Sequence, residues 1–250
     1  KGKKGALVGI FNGTKVEPII EQLLKVPKSK KNKVKEITLD MANSMKTISS
    51  KCFPKAIQVT DRFHVQKLAI EALQDLRIKY RWKALDYENE QIKLARAANK
   101  EFKPLTFSNG DSSKQLLARS RYLLYKSPDK WTSNQKERGQ ILFNEYPDLK
   151  KAYGLVQGLR TIFNQAIDIK VAYTKLAHWY RDVEESGFKC FQTVANSITL
   201  NYRSVLNYFL NRSTNASAES FNAKIKAFRS QFRGVRNLEF FLFRLTNIFA

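Results

Sequence analysis

Acidic residues are scarce in this chain: 22 Asp and Glu stand against 45 Lys and Arg in 250 residues, a formal net charge of +23. A surplus of that size repels itself unless a polyanion neutralises it, so nucleic acid is the expected partner. Cysteine and histidine are scarcer still, at two each. Cys52 and Cys190 lack ligand-like spacing, which excludes a zinc site and fits a reducing, cytoplasmic setting. No apolar run reaches the roughly 18 residues of a membrane span, and no basic amphipathic anchor stands out. The Phe-rich tail from Phe240 to Ala250 is interrupted by Arg244 and reads as a core helix. Neither an internal repeat nor a Gly- or Ser-rich linker marks a boundary. The first residues, Lys1-Gly-Lys-Lys-Gly5, carry no Met and no leader-like apolar segment, so the chain reads as a piece of something longer.

What is present is 43% hydrophobic residues, enough to bury one large core or two small ones. Ala6 to Phe11 is a short apolar run ending at Asn12-Gly13 and predicts a strand. Val16, Ile19, Ile20, Leu23 and Leu24 recur with helical period up to Pro27. The lysines from Lys28 to Lys35 predict a solvated loop. Val34 to Leu39 and Ala56 to Thr60 alternate as strands, with a helix from Met41 to Cys52 between them. Asp40 and Asp61 stand at the carboxyl ends of those two strands.

From Arg62 the pattern turns helical for well over a hundred residues. Val65, Leu68, Ala69, Ala72, Leu76 and Tyr80 line one face, with Arg77, Arg81 and Lys83 elsewhere. Asp86 to Phe107 is polar and charged, an arm or a partly ordered hairpin. Leu116 to Leu123 begins another helical patch. Ser133 caps a helix ending at Tyr146, Leu149 to Phe163 marks the next, and Val171 to Trp179 and Phe191 to Leu210 continue the theme.

A last helix is expected near Asn211 to Lys226. Ser213, Thr214 and Asn215 are good N-caps, Ala218, Phe221, Ile225 and Phe228 form an apolar stripe, and Glu219, Asn222 and Lys226 share another face. By itself this describes an ordinary amphipathic surface helix. Together with alternating β and α at the start, which imply a sheet packed with helices, it describes an α/β protein with acids at strand ends, where such folds put their chemistry. Carboxylates assembled on a highly basic chain suggest magnesium-dependent chemistry on a phosphodiester, since hard cations take carboxylate oxygens. Asp at a strand end is also common where it merely caps a helix.

Four stretches are more specific: Ile37-Thr-Leu-Asp-Met41, Cys52-Phe-Pro-Lys-Ala-Ile-Gln-Val-Thr-Asp-Arg-Phe-His-Val65, Ser120-Arg-Tyr-Leu-Leu124 and Ser213-Thr-Asn-Ala-Ser-Ala-Glu-Ser-Phe-Asn-Ala-Lys-Ile-Lys226. Over almost the whole chain they resemble the DDE transposases of bacterial insertion sequences, ISL-three family. The resemblance implies a ribonuclease-H-like core, a short mixed sheet with helices, interrupted by a large all-α insertion. Residues 1–62 would form the first part of the core, 63–210 the insertion, and 211–250 the C-terminal core helices. It makes Asp40 the second acid of the triad and Glu219 the third, both metal ligands. Asp61 and His64 match the Asp-x-x-His motif that follows the second acid in related superfamilies. Asp61 is also a candidate for the second acid itself, or for a helix N-cap, and His64 for bracing its turn. Asn215 and Asn222 orient Glu219, contact DNA, or serve as cap and surface.

The resemblance further implies Mg²⁺ or Mn²⁺, two ions in the complete enzyme, and metal-dependent cleavage and strand transfer at the ends of an insertion sequence. The partners are double-stranded DNA, as terminal inverted repeats and as target, with self-association in a synaptic complex in the bacterial, nucleoid-associated cytoplasm. The family's first Asp has no counterpart, because the acids before Asp40 are Glu17, Glu21 and Glu36. A chain lacking that strand and an N-terminal DNA-binding region is expected to be inactive alone. Arg119, Arg121, Lys224, Lys226, Arg229, Arg233 and Arg236 are the candidate phosphate contacts. Trp82, Trp131 and Trp179 are candidates to stack on an extruded base, against the commoner core role. The rival readings are a non-catalytic DNA-binding or domesticated transposase-derived protein, and a helical RNA-binding protein.

Overall fold

The computed structural model describes residues 9–11, 13–231 and 237–249. The chain divides into two compact units. The first holds the described residues up to Asp61 together with those from Asn211 onward, and the second is Arg62–Leu210.

In the first unit, α1 (Val16–Leu24) is followed by the single-turn α2 (Lys28–Lys31), β1 (Glu36–Leu39), α3 (Asn43–Cys52) and β2 (Ile57–Thr60). The lysines read as a loop thus make one helical turn, because the Pro27 carbonyl accepts from the Lys30 and Lys31 amides at 2.9 and 3.1 Å. β1 and β2 pair in parallel with Leu39 opposite Thr60, and α3 makes the crossover that parallel strands require. Gln58 ties β2 to α3, its Nε2 donating to the Lys46 carbonyl at 3.2 Å and to Ser50 Oγ at 2.8 Å. Ile19, Ile48 and Cys52 form the buried cluster between α1 and α3, with Val16, Ile20, Leu23, Met45 and Phe53 packed on it. Phe53 ends α3 at φ −134° and ψ 63°, outside the helical region that a following proline disfavours.

Among the described residues the sheet is these two parallel strands, without the antiparallel pairing that the expected short mixed sheet would include. Of the strand expected over residues 6–11, the first three lie outside the described residues, and Gly9, Ile10 and Phe11 are not in a strand. The unit closes with α11 (Ala216–Gln231) and α12 (Leu238–Phe249), joined by the ring contact of Phe228 and Phe241 at 5.3 Å. The stripe on α11 is graded: Phe228 is buried, Phe221 and Ile225 are half-buried and Ala218 is exposed.

The second unit is helical. Its first element, α4 (Arg62–Ala97), runs 36 residues, about 54 Å, through half of the segment expected to be an arm. Ala, Leu, Glu, Gln and Lys dominate Lys83 to Ala97, and their helix propensity carries the charged stretch without a buried face. Asn99, at φ 52°, takes the left-handed conformation after it. Then come α5 (Ser113–Arg119), α6 (Ser133–Glu145), α7 (Pro147–Gln165), α8 (Ile169–Ser186), α9 (Lys189–Leu200) and α10 (Tyr202–Asn211). Thr132, not Ser133, caps α6, accepting from the Gln135 amide at 3.4 Å. The helical stretch from Phe191 to Leu210 is two helices, broken at Asn201, whose Nδ2 donates to the Ser197 carbonyl at 2.7 Å.

α7 packs against α4, α6 and α8, and α4 in turn against α5 and α9. Trp131 and Trp179 belong to the scaffold. Trp131 Nε1 donates to the Leu123 carbonyl at 2.8 Å, and Trp179 Nε1 donates to the Leu155 carbonyl at 2.9 Å. Trp82 is exposed.

Candidate functional site

One register step beyond the pair Leu39 and Thr60 puts Asp40 and Asp61 side by side, about 4.8 Å apart in strand spacing. The Asp61 amide donates back to the Leu39 carbonyl at 3.0 Å, which holds the two strand ends together. Asp40 is half-buried, and its Oδ1 accepts from the Ala42 amide at 3.0 Å, turning the chain into α3. Asp61 is only 2% exposed.

Residues distant in the chain arrive at this edge. Asn211 Nδ2 donates to Glu36 Oε2 at 2.8 Å, and the Asn215 amide donates to Asp61 Oδ2 at 2.6 Å. The five residues 211–215 are therefore pinned at the start of β1 and again at the end of β2. Arg212, at φ 55°, supplies the sharp turn at the beginning of that strap. Asn215 takes the N-cap position of α11, its carbonyl accepting from the Glu219 amide at 2.9 Å. Asp40, Asp61 and the first turn of the Glu219 helix thus converge on one edge, through a charge-assisted bond spanning 154 positions.

Not everything named from the sequence joins them. The Glu219 side chain is exposed, and among the described residues no three His, Cys, Asp or Glu stand close enough to share a metal ion. In kind, carboxylate oxygens at adjacent strand ends suit a hard divalent cation. Asn222, Lys224, Lys226 and Arg229 lie on exposed positions of α11, whereas Arg233 and Arg236 fall outside the described residues. His64 sits in the first turn of α4, in the second unit, edge-on to Phe63 at 5.6 Å between ring centroids.

The arginines of the second unit make local bonds. Arg119 Nη1 donates to Asp111 Oδ1, and Arg138 Nε donates to Asp111 Oδ2 at 2.9 Å, around a carboxylate with no solvent exposure. Burial pushes the Asp111 carboxyl up, but the bonds from Arg138 and Arg119 outweigh it and hold it below the usual carboxylate value. Arg121 lies over the Tyr122 ring at 5.4 Å. Arg77, expected off the apolar face of α4, is buried, with Nη1 on the Leu117 carbonyl at 2.8 Å and Nε on Gln74 Oε1 at 2.7 Å. Sequence reasoning passed over Asp111. The available signal was the turn Asn109-Gly110, where Gly110 adopts φ 77° and Asp111 receives the Asn109 amide group at 3.0 Å.

No described helix is long and apolar enough to cross a membrane. Residues 2–245 match the model of a family described as transposase, the DDE transposases of the ISL-three group. No curated protein and no solved structure gives a significant match.

Proposed function

We propose, from the premise that this chain belongs to the DDE transposase family of the ISL-three group, that its first unit is part of a ribonuclease-H-like core. In that reading it serves metal-dependent cleavage and strand transfer at insertion-sequence ends. Membership makes it a protein of DNA transposition, from a family that acts on DNA and generally works with divalent metal ions. The observation that carries the finer reading is the bond from the Asn215 amide to Asp61 Oδ2 beside Asp40.

In this reading Asp40 and Glu219 hold Mg²⁺ or Mn²⁺. When bound, such ions supply Lewis acidity to the scissile phosphate and lower the pKa of an attacking water or hydroxyl. Asp61, buried and committed to Asn215, is a positioning residue that sets where α11 begins and so where Glu219 stands. Asn222, one turn after Glu219 and exposed, contacts DNA, as do Lys224, Lys226 and Arg229 through phosphates. These contacts carry salt dependence but little sequence information.

The decisive experiment compares the full-length protein with Asp40→Asn and Glu219→Gln on duplexes carrying the element's terminal repeats. Loss of Mg²⁺-dependent cleavage in both, with DNA affinity retained, is the expected result. A second reading, a transposase-derived binder without catalysis, is favoured by the absence of a three-acid group among the described residues. Cleavage that survives Asp40→Asn undiminished would sink the first reading.

A further inference from the structure

We infer that the second unit carries a receptor for one unpaired nucleotide, in the cleft between the outer half of α4 and the extended segment 102–105, its ligand being a nucleobase with an adjoining phosphate. The cleft measures about 470 Å³, inside the roughly 300–1,000 Å³ of ordinary small-ligand sites. Its wall on α4 carries Tyr80, Lys83 and Tyr87, at positions i, i+3 and i+7 of one helix face, with Phe102, Leu105 and Tyr146 facing them.

The surface is apolar where apolar surface is costly. Tyr87 is 63% exposed and Leu105 is 90% exposed, whereas Trp131 and Trp179, the aromatics expected to stack on a base, are held in the scaffold. Tyr80 and Tyr146 are already ordered as a pair, with centroids 5.1 Å apart and planes at 59°. The Tyr80 hydroxyl donates to Asp148 Oδ2, which holds the ring in place.

Charge decides the kind of occupant. Lys83 Nζ lies 5.7 Å from the Tyr80 centroid, so cation and ring face sit together. Lys103 stands in the opposite wall and reaches Glu101 at 3.7 Å, both more than four-fifths exposed, a pair that water screens. Glu88, the acid lining the cleft among the described residues, is ion-paired with Lys114. Aromatic faces beside ammonium groups are how proteins hold single-stranded nucleic acid, with bases stacked and phosphates neutralised. A duplex keeps its base faces inside the stack and cannot present one here. A second copy of a chain with net charge +23 brings the wrong sign.

The inference rests on the family's action on DNA but not on the carboxylates of the first unit. It is therefore tested in EDTA, where failure of the metal reading leaves the result untouched. The full chain is titrated with a short single-stranded oligonucleotide carrying 2-aminopurine, whose fluorescence falls on stacking. Expected are a quench on binding, an affinity roughly ten-fold weaker and no quench for Tyr87→Ala, and near-normal behaviour for Tyr87→Phe. Duplex affinity should change by less than about two-fold. Lys83→Ala and Lys103→Ala should each flatten the salt dependence of single-strand binding, by about 0.7 for every phosphate the protein no longer neutralises. The inference is overturned if Tyr87→Ala binds the oligonucleotide as the parent does. It is equally overturned if single-strand and duplex affinity fall together, or if Tyr87→Ala abolishes self-association while oligonucleotide binding persists, which would assign the cleft to a second copy.

Discussion

The two units are built by different means. In the second, α7 alone buries eight residues, Leu149, Ala152, Tyr153, Leu155, Val156, Leu159, Ile162 and Phe163, and Phe163 stacks on Phe209 at 5.3 Å. In the first, two strands of four residues each lie beside a cluster of Ile19, Ile48 and Cys52, and the segment 211–215 that leads into α11 is tied to the strands by directed hydrogen bonds from Asn211 and Asn215. Close packing is cooperative and tolerates exchange of polar surface, while directed bonds fix a geometry with little burial behind it. Substitutions in the second unit should therefore register as lost stability, and those at the strand ends of the first as lost positioning.

The largest effect expected is Phe163→Ala, which empties a stacked site in the second unit and should cost about 3–5 kcal/mol in urea unfolding. A loss under about 1 kcal/mol would erase the contrast. Next is Asp111→Ala, which removes the acceptor of two charge-assisted bonds and, with Arg119 more than half exposed to water, should cost about 2 kcal/mol. The Asp111 carboxyl is held below its ordinary value, so the folded state releases its proton more readily than the unfolded chain. Its contribution is complete above about pH 4 and is lost as pH falls below that. Acid unfolding of Asp111→Ala should accordingly be shallower than that of the parent.

In the first unit, Asp61→Ala should cost about 1–3 kcal/mol by removing the acceptor of the Asn215 amide. Its signature is local: hydrogen exchange at the start of α11 should speed up while α7 stays protected. Uniform loss of protection would mean that the two units do not unfold separately. The smallest effect belongs to Tyr80, whose phenol is pushed up to about 12 by burial and by its bond to Asp148. The folded protein keeps that proton where the unfolded chain has lost it. Its stabilisation is complete below pH 10.0 and is lost as pH rises from there through about 12, and Tyr80→Phe should remove that part of the slope.

Much of the layout is legible along the chain. α1, β1, α3, β2 and α7 follow from hydrophobic period and proline stops, both local properties of consecutive residues. The end of α4 reads as an arm because exposed helix carries no apolar period, leaving propensity as the sole signal. Thr132 and Ser133 compete for the same cap, and only the bond from the Gln135 amide chooses between them. Asp40 and Asp61 can each be put at a strand end from pattern alone, whereas the pairing that makes those ends neighbours is tertiary. The assignment of Arg119 to DNA could not anticipate Asp111, since a turn with a buried acid has the same composition as a solvated loop.

The sequence by itself determined the strongly cationic character, the alternation of strand and helix around two acids, and the motifs of a transposase. Each of these is written in composition or in short-range spacing. Only the tertiary structure decided that Asp61 receives the Asn215 amide, that Arg77 is buried on the Leu117 carbonyl, and that tyrosines and lysines from two segments share a cleft. Those partners are set by how helices and strands pack, and packing joins residues whose separation along the chain leaves no periodic trace.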